Sequence, residues 1–166
     1  MPEEQVVERA KHDKEQGKSA STQAGEFVRE EMHHIREGKH GAQSPQQAIA
    51  IGLSKARRAG VDLPAPKRGT VSSKTRAQAA RDSRRGKRSP KRKPSRVRSR
   101  AISNALKREG HSAAPRSSLS KQARRAAHRR GSRSRHTSGM KAIRTKRKRG
   151  LRRAARKAAM KRIGSD

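Results

Sequence analysis

The sequence predicts a mainly α protein: a small helical hairpin followed by a largely disordered, partly helical Lys/Arg-rich arm. Three observations carry that expectation. The chain has 166 residues and a formal net charge of +34. Only 28% of its residues are hydrophobic, and Phe27 is its single aromatic residue. Apolar side chains repeat at helical spacing with agreeing caps and breakers in one short stretch, residues 21–61. A chain this polar and this charged offsets little of its conformational entropy by burial, so one small folded unit is expected and a second core is not.

The composition also removes whole classes of function. There is no cysteine, which excludes disulfides, thiolate metal sites and cysteine nucleophiles. No apolar run approaches the roughly eighteen residues that mark a membrane span. The opening segment MPEEQVVERAKHDKEQ is acidic and lacks an apolar h-region, so it does not read as a secretory signal. A cytoplasmic, nucleoid-associated location is the expectation.

Charge divides the chain sharply. Residues 1–63 hold ten Lys/Arg and ten Asp/Glu and are neutral overall. Residues 64–166 hold 37 basic residues against Asp82, Glu109 and Asp166, and so carry the whole +34. The step falls at Leu63-Pro64-Ala65-Pro66, where two prolines stiffen a break. Three regions follow: a charged N-terminal segment 1–20, a neutral hairpin 21–63, and a cationic arm 64–166.

Within the hairpin, Phe27, Val28, Met32 and Ile35 form one apolar stripe of a first helix, with Glu31 falling in the same periodicity. Ser21 or Thr22 caps it, and Gly38 suits the left-handed position that ends it. After Lys39-His40-Gly41-Ala42-Gln43, the run Ser44-Pro45-Gln46-Gln47 supplies an N-cap, a proline at N1 and a glutamine at N3. Ala48, Ile49, Ile51, Leu53 and Ala56 give the second helix its buried side, and Gly60 stops it. So small a hairpin is marginal alone. Residues 1–20 (through Val6 and Val7), a later helix, or a second copy would complete its core.

A helix-turn-helix reader would use residues 45–59 as recognition helix, with Lys55, Arg57 and Arg58 on phosphates. Only Gln46 and Gln47 stand near the start of that helix, and the turn exceeds the usual three or four residues. A structural or protein-contacting hairpin is the stronger reading, with self-association as one use.

In the arm, Arg outnumbers Lys by 25 to 12. Guanidinium forks match phosphate oxygens bidentately and tolerate desolvation, so the bias favours phosphate contact over solubility. The candidate nucleic-acid contacts fall in three clusters. The first comprises Arg84, Arg85, Lys87, Arg88, Lys91, Arg92, Lys93, Arg96, Arg98 and Arg100. The second is Arg124, Arg125, Arg129 and Arg130. The third is Lys146, Arg147, Lys148, Arg149, Arg152, Arg153, Arg156 and Lys157. Short helices fit residues 99–109, 117–130 and 140–162, with Gly150 weakening the last. Like charges one turn apart oppose helix formation until phosphates relieve them, so coil-to-helix ordering on binding is expected.

With no Trp, no Tyr and Phe27 in the hairpin stripe, base stacking has no platform except arginine. Non-specific duplex DNA binding through the phosphate backbone is therefore favoured. RNA or ribosome association, and a protein-interaction hairpin anchored by the arm, are the alternatives. Membrane activity is disfavoured, because the amphipathic stretches offer alanine where insertion wants larger side chains.

No reaction chemistry emerges. Glu30 and His33 form an E-x-x-H spacing, and Glu30, His34 and Glu37 share a face, but a carboxylate-bridged metal pair needs a second copy that is absent. These residues read as a solvated polar face. Gly17-Lys18-Ser19 lacks the first glycine of a phosphate loop, having His12 there. His111, His128 and His136 have no framing nucleophile or carboxylate. The expectation is no enzyme, no cofactor and no metal.

The run EFVREEMHHIREGKHGAQSPQQAIAIGLSKARRAG resembles a family of small basic bacterial proteins of unknown function. Gly41, Gln47 to Ile51, Leu53, Ser54, Ala56 and Gly60 match its Q-A-I-A-I-x-L-S core. The later SRAISNALKREGHSAAPRSSLSKQARRAA is similar to the tails of longer members. Members are often labelled DNA-binding or plasmid-stabilisation proteins, so the resemblance implies a role in plasmid or nucleoid maintenance without a mechanism. The arm is also similar in composition to linker-histone tails.

Overall fold

The computed structural model describes residues 3–88 and 95–163. Among them are seven helices and no strand: α1 (Glu4–Glu15), α2 (Ala20–Arg36), α3 (Pro45–Arg58), α4 (Ser73–Lys87), α5 (Arg96–Lys107), α6 (Arg116–Arg129) and α7 (Gly131–Ile163). The mainly α class is as predicted. The chain forms two compact units, 1–120 and 121–166.

The hairpin forms where its local signals place it. Ser44 Oγ accepts from the Gln47 amide at 3.2 Å, and the Gln47 side chain accepts from the Gln43 amide at 2.8 Å. The reciprocal cap thus reaches one residue further back than the usual box. Gly38 and Gly60 hold φ of 72° and 92°, conformations that a side chain rarely adopts. One boundary moves: α2 begins at Ala20, and Ser19 rather than Ser21 or Thr22 is its cap, accepting from Thr22 N at 3.4 Å.

Residues 1–20 are more than a charged lead. Glu4–Glu15 is helical, and Val6 and Ala10 enter a core with Ala24, Phe27, Ala56 and Val61. On α3 the buried line is Ala48, Gly52 and Ala56, whereas Ile49, Ile51 and Leu53 are half-buried. The reason is close approach: a Cβ at Gly52 would stand 2.8 Å from the Val28 Cα on α2. Small residues let the two backbones meet, which displaces the larger side chains to the flanks of the crossing.

The charge step after Leu63 is not a break in packing. Helix α4, not anticipated from sequence, lies on α3 through Ala79, Asp82 and Gly86, spaced to share one face. Asp82 is buried and accepts from Ser54 Oγ at 2.7 Å and Gln78 Nε2 at 3.1 Å. A Cβ at Gly86 would come within 1.9 Å of the Arg57 carbonyl oxygen. Gly86→Ala is accordingly expected to push α4 off α3 and to cost about 1–3 kcal/mol, read by chemical denaturation.

A second core joins Met32, Ile35, Ala42 and Ala48 to Ala113 and Ala114, with Leu119 against it. Gly41 and Ala42 donate backbone hydrogen bonds to the carbonyls of Leu106 (2.8 Å) and Gly110 (2.9 Å). Arg36 clamps the Ala114 carbonyl with two donors, at 3.1 and 2.9 Å. Glu109 accepts from Gln43 Nε2 at 2.9 Å. The two acids of the arm other than Asp166 are therefore both engaged on the neutral module rather than on the arm's cations.

In the second unit, α7 runs unbroken through Gly139 and Gly150 over 33 residues. It begins at Gly131, nine residues before the predicted start at Met140. At 1.5 Å per residue it is roughly 50 Å long. No helix of the described residues is long and apolar enough to cross a membrane.

Candidate nucleic-acid interface and a buried ion cluster

On α4 the face opposite Ala79, Asp82 and Gly86 carries Lys74, Arg81, Arg84 and Arg85, all exposed, and the exposed Arg88 follows as the extended C-cap. Docking on α3 thus orients these cations outward. On α5, Arg96 and Arg100 line up with Lys107 on the side away from Ala101, Ala105 and Ile102. Arg98 falls on the other side, beside Ile102. On α6, Arg124, Arg125 and Arg129 oppose the half-buried Leu119, Ala126 and Ala127, and Arg130 follows the helix end. On α7, Lys146, Arg147 and Lys148 are consecutive, so they surround the helix rather than form a stripe.

All the candidate cations whose side chains are described are exposed, and Lys87 alone is ion-paired, with Asp62 at 3.2 Å. Lys91, Arg92 and Lys93 lie outside the described residues. Arg149, Arg152, Arg153, Arg156 and Lys157 lie on helical backbone, their side chains outside the description.

The three cations of the helix-turn-helix reading are placed differently. Lys55 is mostly covered and paired with Glu30 (3.3 Å) and Glu31. Arg57 is buried and donates to the Pro64 carbonyl at 3.2 Å; desolvation pulls its pKa below the ordinary arginine value, against the opposing pull of Asp82. Arg58 stands 4.0 Å from Asp82 and donates to the Ser54 carbonyl. These residues hold α3 to its neighbours.

The expected solvated face of α2 is corrected in part: His33 and Glu37 are exposed, but the rest of it is not. Glu30 and Glu31 are buried, and His34 is nearly so. Partners come from all sides: the Glu3 amide donates to Glu30 at 2.6 Å, Lys55 reaches over from α3, and His40 Nε2 lies 3.5 Å from Glu31. His34 Nε2 meets Glu3 at 2.9 Å, and the two imidazole rings stack edge-on at 5.9 Å. Sequence gave one usable signal, a glutamate inside the apolar period of α2; its partners stand on other elements and leave no local trace.

The hydrogen bond from His34, aided by Lys39, holds the Glu3 carboxyl below its ordinary value of 4.5 despite desolvation. A carboxyl depressed by folding stabilises the fold above its unfolded pKa and loses that contribution as pH falls through the folded value. Glu37 is depressed likewise by Lys39 and His33. Acidification below about pH 4.5 should therefore loosen α1 first, seen as faster amide exchange over Glu4–Glu15 than over α3.

Fold and surface together define a small helical unit followed along the chain by cationic helices. A model of a family of unknown function, DUF6496, matches residues 11–68. That span runs from the middle of α1 past the double proline, and it includes Gln47 to Ile51. The similar-looking segment from Ser99 onward lies beyond it. No curated protein and no solved structure matches the chain.

Proposed function

We propose that this chain is a non-enzymatic, non-specific duplex-DNA-binding protein acting through the phosphate backbone. The observation that carries the reading is the uncompensated surface: candidate cations exposed on every helix from α4 to α7, with one ion pair among those described. The arm's own acids do not neutralise them, since Asp82 and Glu109 are bonded to Ser54 and Gln43. Such a surface attracts polyanions by counterion release.

Duplex is favoured over single strands because the chain has no Trp or Tyr and its one Phe, Phe27, is buried. A cationic helix of roughly 50 Å exceeds one turn of B-DNA, about 34 Å, so α7 can meet phosphates on successive turns. In the absence of DNA, repulsion between neighbouring cations favours an extended, largely disordered arm beyond the hairpin and its docked segments, ordering into helices on the duplex. Compaction of DNA in nucleoid or plasmid maintenance, in the cytoplasm, is the role this chemistry suits.

Competition between duplex DNA and structured ribosomal RNA for the full-length chain, at near-physiological salt, tests the assignment. Equal or tighter binding of duplex is expected. A clear preference for RNA would replace this reading with a ribosome-associated one.

A further inference from the structure

We infer that Glu31, His34 and His40 form a binding site for one divalent transition-metal ion of the zinc class, tying the α2–α3 turn to α2. The inference is independent of nucleic-acid binding. Each of the three residues offers one ligand atom, and these atoms all lie within 4.8 Å of one another. Tetrahedral zinc, with bonds of about 2.0–2.1 Å, holds its ligand atoms about 3.3–3.5 Å apart. The separation of His40 Nε2 from Glu31 Oε2, 3.5 Å, is already of that length.

Proton placement argues for a cation there. His40 Nδ1 lies 3.1 Å from the Gly41 carbonyl, which can only accept, so Nδ1 carries the hydrogen. In the neutral ring that leaves the Nε2 lone pair facing a carboxylate oxygen: two acceptors with nothing between them. His34 is set in the same way, its Nε2 donating to Glu3 at 2.9 Å and its Nδ1 left basic. A carboxylate or carbonyl behind a histidine is the usual outer partner of a metal-bound imidazole.

Charge balance points the same way. Glu31 is 1% exposed, and of its two oxygens Oε2 has no hydrogen-bond partner. The Lys55 ammonium touches one of them but is shared with Glu30, also buried, at 3.3 Å. One ammonium thus serves two buried carboxylates, and an uncompensated buried charge is costly. A divalent ion held by two neutral imidazoles and Glu31 removes the deficit. A second grouping, Glu3, Glu30 and His34, is also close enough. It offers one imidazole instead of two, and Glu30 is occupied by the Glu3 amide and Lys55, so the softer donor set is preferred. A cleft of about 380 Å³, lined by Glu3, His34 and Lys39 among others, gives access to the His34 side.

The test uses the full-length chain, stripped by chelator and titrated with Co²⁺ and then Zn²⁺ at pH 7.5. One equivalent of Co²⁺ should give the intense visible bands of tetrahedral coordination, be displaced by Zn²⁺, and raise the thermal midpoint. His34→Ala and His40→Ala should each weaken binding by more than about 100-fold, whereas His33→Ala, outside the group, should not. Glu31→Gln keeps the side-chain shape; it should still melt cooperatively yet lose the midpoint increase with Zn²⁺. Absence of saturable one-equivalent binding overturns the inference. So does binding that survives both His34→Ala and His40→Ala, which would mark adventitious capture by other histidines. So does a Zn²⁺-independent midpoint, which would mean that a proton alone satisfies the His40–Glu31 pair.

Discussion

Raising monovalent salt from 50 to 200 mM should weaken duplex-DNA binding by roughly 10³- to 10⁵-fold, the range expected when six to ten phosphates are neutralised. With about ten contacts the log–log slope is near −9. The exposed cations of α4 to α7 exceed that number, so the slope measures how many engage at once. Replacing Lys146, Arg147 and Lys148 together with glutamine should flatten the slope by about two to three and lower affinity similarly across unrelated sequences. Because these three lie on an exposed stretch of α7, the helix content of unit 1–120 should not change. A slope near zero would dismiss phosphate binding, and strong discrimination among duplex sequences would return the question to the hairpin.

The second large effect concerns folding. Lys55→Met, measured in chelator, should destabilise the chain by about 3–5 kcal/mol, since it leaves Glu30 and Glu31 buried without their ammonium. Typical domains have only about 5–15 kcal/mol in hand, and a core built on two valines, three alanines and one phenylalanine belongs at the low end. The variant should be largely unfolded near physiological temperature. Combining it with Glu31→Gln should recover part of the loss, and denaturant melts of the four species close the cycle. Full additivity would show that the ammonium and the carboxylate do not interact.

What the sequence discloses is what is decided locally. Ser44, Pro45, Gly38 and Gly60 act within a few residues of themselves, so the α2–α3 hairpin is legible, and Phe27, Val28, Met32 and Ile35 identify its inner face. The remainder of the 1–120 unit is held by contacts whose partners are far apart: Ser54 with Asp82, Arg36 with Ala114, Gly86 against Arg57. On the arm's side much of the packing is done by Ala79, Gly86, Ala113 and Ala114, and in an Ala/Gly/Ser-rich arm such residues carry no periodic signal. One clue was present. Asp82 and Glu109 are isolated acids in a basic stretch, and each marks a docking point on the neutral module. The candidate cations were legible as a composition, but their orientation required α4 to be seated on α3. The Glu31, His34 and His40 grouping depends on how the turn folds back, and spacing alone cannot report that.

The hydrogen bonds from Gly41 and Ala42 to Leu106 and Gly110, with the Gln43–Glu109 pair across 66 residues, close the intervening chain into a non-covalent ring. A ring has no unique end. One backbone scission between α4 and α5 should leave two pieces that still co-migrate under native conditions and part only in denaturant. By contrast, a fragment cut at the compositional border after Leu63 would discard Ala113, Ala114 and Leu119 and expose the second core. The border that the charges draw and the border at which the molecule can be divided are different places.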